Sequence, residues 1–263
     1  MLSYLHAFHA GGPADVHKHA ALAALIAHMT AKDKPLTYME THAGSALYDL
    51  AAPEAVKTGE AVQGILRLEA GRRLPAGHPY AQALAAVRAK HGKTAYPGSP
   101  LLARALLRPG DVMHLMELHP REFEALRARM RGPKTHVHRR DGFEGVLALS
   151  PPTPRRGLVL VDPSFEVKSE YDDAAAFVVE LHQKWPEAVI ALWYPLLPAG
   201  LHQGMCEAIE AAGLPRLSRR EAVFNDPAAT RGMHGDGVLV VNTPYGVADA
   251  LKAAQRLCSS LLG

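Results

Sequence analysis

The chain has 263 residues, 48% of them hydrophobic, and its 29 Lys and Arg against 26 Asp and Glu leave a net charge of +3. That is enough chain for one large domain with a sizeable core; with no apolar run of membrane-spanning length and no basic-then-apolar leader, a soluble cytoplasmic protein is expected. Two distant cysteines, Cys206 and Cys258, exclude a disulfide framework and a thiolate zinc site.

Residues 3–19 come first and are dense in polar groups, among them Tyr4, His6, His9, Asp15, His17, Lys18 and His19. Helical phase puts Lys18 and His19 at the head of a face carrying Leu22, Leu25, Ile26 and Met29. No carboxylate or thiolate is suitably spaced beside these histidines, so no metal is expected. A strand over 36–41 leads into Glu40-Thr41-His42-Ala43-Gly44-Ser45-Ala46, a loop with a single glycine. That fails as a dinucleotide fingerprint, whereas a methionine-derived sulfonium cofactor has no pyrophosphate and asks less of the loop. Residues 50–95 read as a helical insertion without a strand.

Helix and strand then alternate: strand 111–118, helix 120–130, strand 134–139, strand 157–162, helix 171–184, strand 188–194, helix 198–212, and strands 216–223 and 237–242. Such alternation predicts an α/β fold, a doubly wound, mostly parallel seven-stranded sheet covered on both faces. Pro120 and Pro198 are placed where their helices open. Ligands bind at the carboxyl ends of such strands. Glu117 there is positioned for ribose hydroxyls, and Asp141-Gly142 for an adenine amine. Each alone fits an ordinary turn better than a binding role, and it is their joint appearance at successive strand ends that favours a site.

The run Gly157-Leu158-Val159-Leu160-Val161 ends in Asp162-Pro163-Ser164-Phe165. An exocyclic amine has its lone pair delocalised into the ring, and it attacks a methyl sulfonium only when drawn towards tetrahedral geometry. Asp162 and the Pro163 carbonyl offer the two acceptors that can do this, and Phe165 offers a ring for a base taken out of its stack. The pattern points to an amino-group methyltransferase, although four residues alone also fit a strand ending in a turn.

Further runs carry a family resemblance. Leu2-Ser3-Tyr4, His9-Ala10-Gly11, Ala14-Asp15-Val16, Lys18-His19, Thr41-His42-Ala43-Gly44, Tyr96-Pro97-Gly98-Ser99-Pro100, Glu117-Leu118-His119-Pro120, Asp141-Gly142, Asp162-Pro163 and Ala191-Leu192-Trp193-Tyr194-Pro195 occur in order through nearly the whole chain. Together they resemble the RlmJ family of bacterial 23S ribosomal RNA adenine-N6 methyltransferases. The resemblance implies a class I S-adenosylmethionine-dependent, Rossmann-like methyltransferase in a single domain, 1–263. Its last strand would be antiparallel, with 50–95 as a helical subdomain. It also implies that His19, His42, Ser99, Glu117, Asp141, Gly142 and Asp162 line the S-adenosylmethionine pocket and that Tyr4, His6 and Lys18 face the substrate. The partner would be 23S rRNA and the protein a monomer. The pattern departs at Glu40, where Asp is usual, at Ser45-Ala46, and at Ser164-Phe165 in place of Pro-Tyr. A DNA amino-methyltransferase is the alternative, against which no residues are left for a base-reading domain. A catalytically weakened RNA-binding homologue is another, against which stands the retention of Asp162, Glu117 and Asp141.

Overall fold

The computed structural model describes residues 5–262. A single 3-10 turn (His6–Phe8) leads into helix α1 (Pro13–Thr30) and strand β1 (Thr37–Glu40). Next come β2 (Leu47–Asp49), four helices, α2 (Pro53–Thr58), α3 (Glu60–Gln63), α4 (Ile65–Ala70) and α5 (Pro79–His91), and β3 (Ala95–Pro97). After them run α6 (Ser99–Leu106), β4 (Val112–Met116), α7 (Pro120–Arg129), β5 (Thr135–His138), α8 (Gly142–Leu149) and β6 (Gly157–Val161). The remainder is α9 (Ser169–Lys184), β7 (Val189–Leu196), α10 (His202–Ala211), β8 (Ser218–Val223), β9 (Gly235–Val241) and α11 (Ala248–Ser259).

The seven-stranded sheet has the order β5-β4-β1-β6-β7-β9-β8. Its strands run parallel except β9, which is antiparallel to both β7 and β8. This is the class I methyltransferase sheet that the resemblance implied. β6 lies at its centre with all five residues buried, which is why the strand is apolar on both faces and shows no alternation. One face is packed by α1, α5, α6, α7 and α11, and the other by α8, α9 and α10.

Three details differ from the sequence reading. The helix predicted over 198–212 begins at His202, and Pro198 instead precedes a turn in which the Gly200 amide donates to the Leu197 carbonyl. The short strands β2 and β3 pair antiparallel and bracket α2 to α5; three residues each is too short for a period to show. Residues 15–26 of α1 are buried on every side, because α5, α6, α11 and the sheet surround it. Tyr80, Leu84, Ile65 and Leu68 from the 50–95 segment join the same core as α1. No helix among the described residues is long and apolar enough to cross a membrane.

Candidate active site

A cavity of about 470 Å³ opens at the carboxyl edge of β1, β4, β5, β6 and β7. It brings together every site residue expected from the sequence except Tyr4, which lies outside the described residues.

Asp162 leaves the end of β6 with 13% of its side chain exposed and accepts from the Lys18 ammonium at 2.7 Å. Lys18 also reaches Asp15 at 3.2 Å, and His6 Nε2 lies 2.9 Å from the other Asp15 oxygen. Burial opposes the charge of Lys18, but the fields of Asp162 and Asp15 outweigh it and raise the Lys18 pKa. Conversely, burial opposes the Asp15 charge, but the pull of His6 and Lys18 overcomes it and holds the Asp15 carboxyl well below the usual range. His19, 1% exposed, is pushed down to about 4 chiefly by desolvation, and its Nδ1 lies 2.9 Å from the Tyr96 hydroxyl. A charged Lys18 thus stands beside a neutral His19.

Pro163 is buried and Ser164 half-buried, its hydroxyl donating to Glu170 at 3.3 Å. Phe165 has a φ of 54°, a conformation uncommon for a side chain this large, and is 6% exposed with its ring centroid 4.5 Å from that of Tyr171.

On the other side of β1, Glu117 accepts from the Gly44 amide at 2.8 Å with one oxygen and from the His119 amide at 2.7 Å with the other. It therefore ties the loop after β1 to that after β4, and each oxygen keeps a lone pair. Burial raises its pKa, against the pull of those amides. Asp141 caps α8, its Oδ1 accepting from the Glu144 amide at 2.9 Å. Gly142 opens α8 against the β1 backbone; a Cβ there would lie 2.0 Å from the Thr41 carbonyl oxygen. His42 Nδ1 lies 2.8 Å from the Thr41 hydroxyl, and desolvation lowers the His42 pKa.

Ser99 donates to Glu40 at 2.8 Å and Tyr38 to its other oxygen at 2.6 Å. Glu40 is fully buried, and desolvation pushes its carboxyl up to about 8. In the fold it keeps a proton that the unfolded chain has lost above about 4.5, so its contribution to stability falls as pH rises from about 4.5 to about 8. The slope is at most about 1.4 kcal/mol per pH unit. Glu40→Gln, which mimics the protonated form, should gain on the wild type over that window. Melting curves from pH 5 to 9 check this, and a constant gap between the two proteins would show that Glu40 is ionised throughout.

Several residues at the site were given no role by the sequence. Glu60 lines the cavity from α3 and lies 2.7 Å from His9, a pairing across 51 positions. Trp193 lines it from β7, with the Lys18 ammonium 5.2 Å from its ring centroid. His17 pairs with Asp236 rather than facing the cavity. No three His, Cys, Asp or Glu among the described residues are grouped to hold a metal ion.

The arrangement suits a cationic, nucleoside-like ligand. Carboxylates of Glu60, Glu117, Glu122, Asp141 and Asp162 line the cavity, and Lys18 is its one lysine, already paired. A sulfonium and an ammonium are attracted there, while the missing Cβ of Gly142 leaves the loops close enough to enclose a flat base. S-adenosylmethionine fits these residues.

The family model described as "Ribosomal RNA large subunit methyltransferase D, RlmJ" matches residues 33–263. Ribosomal RNA large subunit methyltransferase J of Escherichia coli is 37% identical over 247 residues, covering 93% of this chain and 88% of that protein. The Haemophilus influenzae protein of the same name is 35% identical over 257 residues, covering 96% and 91%. A Legionella pneumophila protein of solved structure superposes with a TM-score of 0.86 at 31% identity, over 97% of this chain and 94% of that one. With the family model spanning most of the chain and relatives matched almost end to end, this protein belongs to the RlmJ family of ribosomal RNA large subunit methyltransferases.

Proposed function

We propose that this protein transfers a methyl group from S-adenosylmethionine to the exocyclic N6 amine of an adenosine in 23S rRNA, acting as a cytoplasmic monomer. The observation that carries this reading is Asp162-Pro163 at the end of the central strand, inside the acid-lined cavity and fixed by Lys18. S-adenosylmethionine supplies the electrophilic methyl group. Asp162 and the Pro163 carbonyl accept from the two N–H bonds of the amine and hold its lone pair out of the ring plane. Lys18 and Asp15 keep the Asp162 carboxylate in one orientation, so little reorganisation remains at the moment of reaction. The surplus proton leaves to water or Asp162. Glu117 takes the ribose hydroxyls with its remaining lone pairs, Asp141 the cofactor's adenine amine, and His6 and Lys18 border the substrate side.

The test is transfer from labelled S-adenosylmethionine to 23S rRNA lacking the modification, followed by nucleoside digestion. N6-methyladenosine is expected. Transfer to DNA alone, a methylated cytosine, or cofactor binding without transfer would each overturn the reading. Glu117→Ala should raise the dissociation constant for S-adenosylmethionine by about one to two powers of ten, since hydrogen bonds to charged groups are worth about 1.5 to 3 kcal/mol. Calorimetry decides it, and unchanged affinity removes Glu117 from the ribose site.

Basic residues near the two ends of the sheet divide by position. Arg139 and Arg140 follow β5 at the cavity edge, with Arg140 held by Glu144 at 2.7 Å, whereas Lys134 precedes β5 at the opposite pole. Arg219, near the start of β8, is tied to Glu221 and Glu210. Neutralising Arg139 and Arg140 together should reduce the log–log salt slope of RNA binding by roughly 0.7 per lost phosphate contact. Arg219→Gln should leave the slope alone. Filter binding across a salt series that shows the reverse would redraw the RNA path.

A further inference from the structure

We infer that the indole of Trp193 is the platform on which the target base lies, and that a buried Asp236–His17 pair exists to hold it there. The inference rests on the proposed reading of the site as an adenosine methyltransferase.

Position separates Trp193 from the cofactor side. It stands on β7, three strand spacings from β4, or roughly 14 Å at the usual separation. Glu117 and Asp141 follow β4 and β5, beyond β1, so a nucleoside held by them lies away from the indole. Asp162, at the end of the neighbouring β6, is linked to the ring through Lys18, whose ammonium lies 2.7 Å from the Asp162 carboxylate and 5.2 Å from the indole centroid.

Exposure separates it from Phe165. Both rings line the cavity, but Phe165 is 6% exposed and packed on Tyr171, whereas Trp193 is only half-buried. The two centroids are 6.3 Å apart with planes inclined at 53°. A base sandwiched between parallel rings needs about 7 Å, so these two form a wedge. A base stacked on the broader indole face meets the Phe165 ring at its edge.

The indole is also held in a way that packing alone does not require. Its Nε1 donates to Asp236 at 2.8 Å, and His17 Nδ1 lies 3.1 Å from both oxygens of the same carboxyl. Asp236 and His17 are both fully buried, and His17 Nε2 has no hydrogen-bond partner among the described residues. A buried acid is costly unless its bonds are used. Among the described residues, apart from a Cys258 thiol at 3.9 Å, the side-chain partners of Asp236 are His17 and Trp193. Asp236 is thus a positioning residue for the ring.

Fluorescence tests this directly, because Trp193 and Trp185 are the two tryptophans and Trp185 is fully buried, donating to the Arg155 carbonyl. Titration with adenosine 5′-monophosphate in the presence of S-adenosylhomocysteine should quench wild-type emission saturably and leave Trp193→Phe unquenched. Trp193→Ala should raise KM for rRNA at least tenfold, with Trp193→Phe recovering most of the loss. Asp236→Asn should raise that KM several-fold while S-adenosylhomocysteine affinity stays unchanged. Should Trp193→Ala not fold, the phenylalanine variant and the quenching decide. Wild-type emission indifferent to millimolar nucleotide, equal quenching in Trp193→Phe, or a folded Trp193→Ala with KM and kcat within twofold of wild type would overturn the platform alone. A wild type that transfers no methyl to rRNA would overturn the proposed function, and this inference with it.

Discussion

Asp162→Asn should lower kcat for methyl transfer by about two to three powers of ten, and Asp162→Ala should abolish it. Losing one preorganised group at a reacting centre typically costs that much, and the amide retains an acceptor but no charge to stabilise a developing ammonium. The two variants separate chemistry from structure. Alanine leaves Lys18, buried with Asp15 at 3.2 Å, without its 2.7 Å partner, and breaking a buried pair costs up to about 3 to 5 kcal/mol. Asparagine keeps an oxygen for the ammonium and should melt close to the wild type. Single-turnover transfer to rRNA, read beside melting temperatures, measures both. Near-normal turnover by folded Asp162→Ala would show that the methyl-accepting amine is held elsewhere.

Gly142→Ala should damage both stability and cofactor binding. The added Cβ would sit 2.0 Å from the Thr41 carbonyl oxygen and 2.6 Å from its carbonyl carbon, and neither atom can rotate aside. Overpacking of this kind costs about 1 to 3 kcal/mol or more, and for a domain near this size each kcal/mol lowers Tm by about 2 to 4 °C. Pushing α8 away from β1 also displaces Asp141 and His42, so S-adenosylmethionine affinity should fall at least tenfold. Gly145→Ala in the same helix is the control, since its Cβ meets the side chains of Met116 and Arg140, which can move. Equal Tm and affinity in both variants would mean that the α8 to β1 approach is looser than it stands here.

Residues that act at strand ends were legible in the sequence because the sheet itself places them. The apolar runs before Glu117 and Asp162 fixed where each strand stops, and the topology carries those ends to one edge. The order of motifs added His42 and Ser99, which no periodicity would have selected, and gave a role to His19, which helical phase had only placed. Partnerships between distant segments could not be read. Nothing in Asp236 announces that it will bond Trp193, 43 positions earlier, or His17, 219 positions earlier. Burial of α1 on every side was equally hidden, since the helix that covers its last exposed flank is the final element of the chain.

Amino-terminal α1 rests on carboxyl-terminal α11, with the Cys258 thiol 3.3 Å from the Pro13 carbonyl, 245 positions away. A chain made from its amino end therefore synthesises the lysine and histidines of its site first and must wait for its last strand and helix before they can be enclosed. Contacts of such separation close slowly, because the entropy of the long loop is lost before the packing is gained. A nascent chain lacking Asp236 and α11 leaves α1, and with it Lys18, without a settled seat. The seat of α1, and with it of Lys18, is thus settled only once β9 and α11 have been made.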